Sequence, residues 1–191
     1  MVVTYREHDR EGFERGGDTP AMTETMTEKI HDPIHRSAYS FRREGESLWV
    51  DTWLEDGGHL PEHFHPSLEE HWEAIEGTVR VKLAGTWRDL VPEDGPVLVA
   101  RNVRHELKNT SGHEFHARAR VTPAGRLEEF LTESARAASE GLYNSRNMPT
   151  SWRGAVWVAD FAQRFRDETV VTSPPPAVQR IVTPLVARFA R

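Results

Sequence analysis

From Ser37 to about Pro123, turn residues break the chain every eight to twelve positions, and the stretches between them are short and rich in β-branched and aromatic residues. That cadence reads as a series of short strands joined by turns. Ser47–Leu54 carries Trp, Val and Thr. Thr78–Leu83 alternates with period two, the mark of a strand wet on one face. Val97–Ala100 follows the turn Glu93-Asp94-Gly95-Pro96, and Glu114–Val121 alternates again with Phe115, Ala117, Ala119 and Val121 on one face. About eight such strands fit a closed barrel or a double-sheet jelly roll, because closure removes the unpaired edges that a sheet of this size would expose.

The flanks differ. Residues 1–36 are charged and weakly periodic, with a breaker cluster at Gly16–Pro20, and read as an arm laid over the body or over a partner subunit. After Pro123 the period becomes helical: Leu127, Phe130, Leu131, Ala135, Ala138 and Leu142 form one stripe. A second helix is expected from Ser151, a good N-cap, with Trp157, Val158, Phe161, Ala162 and Phe165 as its stripe. A stiff Pro174–Pro176 spacer leads to a last stretch with Val178, Ile181, Val182, Leu185 and Phe189, where Pro184 is expected to break or restart the helix with Thr183 as the new cap. The expected divisions are thus an arm at 1–36, a barrel at 37–123 and a helical extension at 124–191. The stripes are expected to pack on the barrel or on a second subunit.

Composition narrows the function classes. Twenty-four Lys and Arg against thirty Asp and Glu give a net charge of −6, which disfavours nucleic-acid partners. There is no Cys, which removes disulfides, thiolate catalysis, zinc fingers and iron–sulfur clusters. No apolar run reaches membrane-spanning length and the first residues are polar, so no membrane association and a cytoplasmic location are expected. The chain has neither a phosphate-binding glycine loop nor a Gly-x-Ser-x-Gly elbow.

Four of the ten His fall between residues 59 and 71. His63 and His65, two apart on a strand, point to the same face and can reach one ion. A turn over Pro66–Glu69 lets Glu70 return its carboxylate from the next strand, and His105 can arrive from a later one. Three imidazoles and a carboxylate suit one divalent transition metal (Fe, Mn, Ni, Cu or Zn) and suit Ca or Mg poorly. Four protein ligands leave one or two coordination positions open for chemistry.

This pattern resembles the cupin superfamily. Its first motif, Gly, five residues, His-x-His, three or four residues, Glu, six residues, Gly, is met by Gly57, His63, His65, Glu70 and Gly77. Its second motif is matched at His105 and Asn109, with Ala100 in place of Pro, Asn102 in place of Gly, and Gly95 one position too close. Asn is the residue best able to replace Gly at a positive φ. The segment Thr122-Pro-Ala-Gly-Arg-Leu-Glu-Glu-Phe-Leu131 looks like the helix that follows the barrel in quercetin-dioxygenase-like single-domain cupins. The resemblance implies an all-β, double-stranded β-helix (jelly-roll) with a helical C-terminal extension, and a metal held by His63, His65, Glu70 and His105. Single-domain cupins commonly pair, so a homodimer is expected.

Other residues are candidates for the substrate pocket, each with a structural alternative. Trp49 and Trp53 share one strand face and either wall the pocket or pack in the core; so does Trp72, on the face of Glu70. His59 either lines the mouth or is an exposed strand end. Arg118, on one face with His116 and Arg120, either clamps a substrate carboxylate or faces solvent. His71 points away from Glu70. The leading expectation is a metal-dependent enzyme acting on a small organic molecule with an aromatic or weakly charged body. The reaction would be oxygenation, with Glu70 doubling as base, or isomerisation or cyclisation. The alternative is a non-catalytic sensor or storage module.

Overall fold

The computed structural model describes residues 26–174 and 176–190. Most of the expected arm, including Gly16–Pro20, lies outside these residues. Among the described residues eleven strands form the two sheets of a sandwich: β1 Ile30–Asp32, β2 Ser37–Glu44, β3 Ser47–Leu54, β4 His59–Phe64, β5 Glu69–Glu76, β6 Val79–Leu83, β7 Thr86–Leu90, β8 Val97–Val99, β9 His105–Lys108, β10 Phe115–Thr122 and β11 Val170–Val171. The first sheet has the order β1-β2-β3-β10-β5-β8 and the second β11-β4-β9-β6-β7, with every pairing antiparallel. The fold is the expected double-stranded β-helix. Two of its strands come from outside the expected barrel range. β1 lies in the arm region and pairs with β2, and β11 lies in the helical extension and pairs with β4.

Apolar side chains from both sheets meet in one core. Leu48, Leu54, Phe115 and Val121 of the first sheet and Val79, Val81 and Leu90 of the second are all but inaccessible. Gly77, between β5 and β6, has φ +80, and a Cβ there would stand 2.8 Å from the Glu114 carbonyl oxygen, so the turn requires glycine. Asn109 is fully buried and knots the chain: its Nδ2 donates to the carbonyls of Leu54 and His113 at 2.7 Å each, while its Oδ1 accepts from Ser111 N and Oγ.

Three helices follow: α1 Leu127–Ser139, α2 Trp152–Arg164 and α3 Pro176–Val186. The Ser151 hydroxyl caps α2 by accepting from Gly154 N at 3.0 Å. α1 and α2 pack through Phe130, Phe161 and Phe165, with Phe165 fully buried. Pro184 does not restart the last helix with Thr183 as a cap. α3 runs through it and ends two residues later, while the Thr183 hydroxyl donates back to the Gln179 carbonyl at 2.6 Å. The apolar stripe of α3 and of the turn after it is largely exposed: Ile181, Leu185 and Phe189 are 69, 54 and 66% exposed, with Phe189 against the Trp152 ring. Among the described residues no helix is long and apolar enough to cross a membrane.

Candidate metal centre and its cavity

β4 and β9 are antiparallel neighbours, and their register sets His63 directly opposite His105. His65 follows one residue after the end of β4, and its carbonyl accepts from Asn102 N at 2.9 Å. Asn102 has φ +63, as expected of a residue standing in for glycine, and its turn ties the second motif to the first. Gly57 N donates to the Asn109 carbonyl and Asn109 N to the Gly58 carbonyl, each at 2.9 Å, closing the pair of motifs at their other end.

These ties converge three imidazoles. Ligand-capable nitrogens of His63, His65 and His105 all lie within 4.8 Å of one another. Each Nδ1 meets a backbone carbonyl: His63 that of Pro61 at 2.7 Å, His65 that of Glu168 at 2.7 Å, and His105 that of Val103 at 2.9 Å. A carbonyl can only accept, so each Nδ1 carries the proton and each Nε2 presents its lone pair. The Nε2 atoms of His65 and His105 are buried and have no hydrogen-bond partner. Orphaned buried nitrogens of this kind are costly unless something fills the space between them. Glu70 closes the fourth side. Its Oε2 stands 3.5 Å from the Nε2 of both His65 and His105 and accepts from Trp72 Nε1 at 3.0 Å.

Electrostatics follow from this enclosure. Burial, aided by the neighbouring imidazoles His105 and His65, holds His63 well below the usual imidazole range. Burial likewise brings His105 down to about 4, despite the nearby Glu70 carboxylate. Burial also pulls on His65, but the nearby Glu70 charge and the hydrogen bond to the Glu168 carbonyl outweigh it and raise its pKa. Burial alone would lift Glu70, yet the three imidazoles, His65 foremost, bring it down to about 2. The site is therefore an anion beside two imidazoles that stay neutral into acid.

The triad opens into a cavity of about 1070 Å³ between the sheets and the helices. Val50, Leu60, Phe64, Leu107 and Phe130 give it an apolar wall, and Trp72 lines it with its ring 5.1 Å from that of His105. The other pocket candidates lie elsewhere. Val50 and Thr52 are the β3 residues that face the cavity, so Trp49 and Trp53 point to the outer face. There Trp49 donates to Glu44 and Trp53 stacks on His116 with centroids 4.6 Å apart. Arg118 is on that outer face too, paired through two 2.9 Å hydrogen bonds with Asp51. His59 faces away from the cavity, with its Nε2 2.9 Å from Glu106 Oε1. Its neighbours Leu60 and Pro61 line the wall instead.

Several cavity residues had no motif to mark them. Asp32, His35, Tyr143 and Asn147 form one network in the wall. Asp32 Oδ2 meets His35 Nδ1 at 2.8 Å and the Tyr143 hydroxyl at 3.2 Å, and His35 Nε2 meets Asn147 Oδ1 at 3.1 Å. Gln163 of α2 also lines the cavity. These residues come from the arm side and the extension, where the sequence carries no metal or catalytic spacing.

No family model matches the chain. One curated protein, an oxidoreductase of Arthrobotrys oligospora, is 32% identical over 65 residues, 34% of this chain and 26% of its own length, so the chain spans about a quarter of that relative. Among solved structures, KdgF from Halomonas is similar at 16% identity and a TM-score of 0.45, over 49% of this chain and 84% of that one. The Cupin_2 domain of an XRE-family transcriptional regulator from Enterobacter cloacae is similar at 21% identity and a TM-score of 0.40, over 46% and 96%. Two antiparallel sheets rolled around one core, with both motifs brought to one cavity, give this chain the fold of the cupin superfamily.

Proposed function

We propose that this protein is a metal-dependent cupin enzyme acting on a small, largely apolar organic molecule. The observation that carries it is the pair of buried, partnerless Nε2 atoms of His65 and His105, aligned with His63 by three backbone carbonyls. The set fits one divalent transition ion. Two of its three nitrogen donors, His63 and His105, stay neutral into acid, the ring orientations are fixed by backbone carbonyls, and an anion stands beside them. His63, His65 and His105 would hold the ion with Glu70 as the carboxylate ligand. The Glu70 carboxylate stands 3.5 Å from the Nε2 atoms of both His65 and His105, which supports the ligand role over that of base.

When bound, such an ion supplies Lewis acidity, or dioxygen chemistry if it is redox-active. The chain's own residues do the rest. The Trp72 indole steadies the Glu70 carboxylate by hydrogen bonding. Phe64, Leu107 and Phe130 exclude water and select a poorly charged substrate body. Between oxygenation and isomerisation, the 65-residue likeness to an oxidoreductase supports oxygenation. The partners proposed are a small-molecule substrate and a second copy of this chain. The uncovered Ile181, Leu185 and Phe189 support that dimer, which sedimentation velocity would test.

Metal analysis of the purified protein tests the site. About one transition ion per chain is expected, falling to near zero in His63→Ala and His65→Ala while the fold persists. Oxygen uptake over a panel of phenols and diketones, with Fe, Mn, Ni and Cu supplied in turn, tests the reaction. Metal retained by both variants would overturn the ligand set, and silence across the panel would overturn oxygenation.

A further inference from the structure

Six of the eight large apolar side chains that stand exposed among the described residues belong to the helical extension: Met148, Trp152, Ile181, Val182, Leu185 and Phe189. Four of these are on α3 and the turn after it. At about 100° per residue, Ile181, Val182 and Leu185 share one arc of about 100°. Phe189 continues the stripe and meets the Trp152 ring with centroids 5.5 Å apart. The other side of α3 is held to the body. There Gln179 donates to the carbonyls of Val171 at 2.7 Å and Pro174 at 2.5 Å, and Thr183 and Val186 are half-buried. A helix that only packs on its own domain turns its apolar stripe inward. α3 turns much of its own outward.

Charge points to what covers this face. Residues 169–191 hold three Arg and no Asp or Glu, in a chain whose net charge is −6. Arg180 and Arg188 are exposed and flank the stripe. The carboxylates that share a surface hollow with Phe189 are already answered: Glu140 by Arg153 at 2.6 Å, and Glu133 and Asp160 by Arg164 at 2.6 and 2.8 Å. A second copy would cover the apolar stripe in water, but its own α3 would meet these arginines with arginines. An anionic bilayer surface answers both features, because its interface takes up apolar side chains and its phosphates attract basic ones. At eleven residues, about 17 Å, α3 can lie in such an interface and cannot span it.

We propose that α3 docks this protein on an anionic lipid surface, with Ile181, Leu185 and Phe189 in the apolar side of the interface and Arg180 and Arg188 at the phosphates. This departs from the expected absence of membrane association, which rested on the lack of a spanning run. It does not rest on the metal-dependent activity. The two meet at Val182 and Met148, which are exposed and also line the cavity, so apolar surface continues from the docking face into the cavity.

The test floats the full chain on vesicles of phosphatidylcholine alone and of phosphatidylcholine with an equal part of phosphatidylglycerol, at low and at raised salt. The wild type is expected to bind the mixed vesicles at least about 10-fold more tightly, and to lose that margin as salt rises. Arg180→Gln with Arg188→Gln should weaken binding to the mixed vesicles about 25-fold, about 5-fold for each arginine. Ile181→Asp with Leu185→Asp should abolish it. All four side chains are exposed, so both double variants should unfold at the wild-type midpoint and keep the wild-type metal content. Equal binding to both vesicles, binding that survives the aspartate pair, or no flotation at all would each overturn the proposal. Should the aspartate pair fail to fold, the arginine pair decides, and unchanged binding by it overturns the proposal. Sedimentation velocity on the same proteins separates this face from the dimer. A dimer that the aspartate pair dissolves, in a protein that ignores vesicles, gives the stripe to a second copy and overturns the docking. A monomer that floats with the mixed vesicles ends the dimer reading and leaves the docking in place. A protein that floats but holds no metal ends the metal reading alone.

Discussion

His65 Nδ1 donates to the carbonyl of Glu168 at 2.7 Å, across a separation of 103 positions. The helical extension therefore helps to build the candidate metal site, because it fixes the tautomer and the orientation of one imidazole. Thr169 adds its hydroxyl 3.2 Å from the same nitrogen.

That bond should couple helix packing to metal affinity. Phe165 is fully buried, and its carbonyl accepts from the amides of Glu168 and Thr169. Phe165→Ala should cost about 3–5 kcal/mol of stability through the cavity it leaves. It should also weaken metal binding by about 10-fold as the Glu168 carbonyl drifts. Urea unfolding and a competitive chelator titration read the two effects. Full metal affinity in a destabilised variant would show that the extension does not orient His65.

Acid should displace the ion one proton at a time. Metal binding needs neutral imidazoles. His105 titrates near 4 and His63 well below its usual range, so neither takes up a proton near neutrality. His65 is raised, so it is the competitor. As pH falls through the His65 value, metal affinity should drop by about one decade per pH unit, steepening only toward pH 4. A slope near three decades in the mildly acidic range would mean that the three rings titrate alike.

Asn109 tests the architecture apart from the chemistry. Asn109→Ala removes both Nδ2 donors and leaves the buried Leu54 carbonyl without its side-chain partner. A loss of about 1–3 kcal/mol in unfolding free energy is expected. The ion should still bind at one per chain, as metal analysis of the folded variant would show.

Arg118 should matter little to the chemistry. Its side chain is 42% exposed and pairs on the outer sheet face with Asp51, which is itself buried. Arg118→Ala should cost about 1–3 kcal/mol of stability, because it leaves the Asp51 carboxylate with His116 alone. It should leave metal content and any oxygen uptake unchanged. A large loss of activity would place Arg118 in the substrate's path.

These contrasts also show what the sequence could and could not convey. His63, His65 and Glu70 were legible because i, i+2 spacing on a strand and one tight turn leave little freedom, and His105 because a second motif marked it. The direction of β3 was not: Leu48, Val50 and Leu54 alternate with Trp49 and Trp53, so both faces are apolar and period two cannot tell inside from outside. The polar Ile30–Asp32 and the two-residue Val170–Val171 are too short to carry a period, so β1 and β11 were hidden in the arm and the extension. Gln163 and the Asp32–His35 network reach the cavity only through tertiary packing, which no local spacing encodes.

The most direct test of the metal centre is an anomalous difference map from crystals grown with a transition metal, collected on either side of that metal's absorption edge. One peak per chain is expected, bounded by His63, His65 and His105 at about 2.0–2.2 Å from their Nε2 atoms, with Glu70 on its fourth side. A flat map there, or a peak held by other residues, would contradict the metal centre and the function built on it.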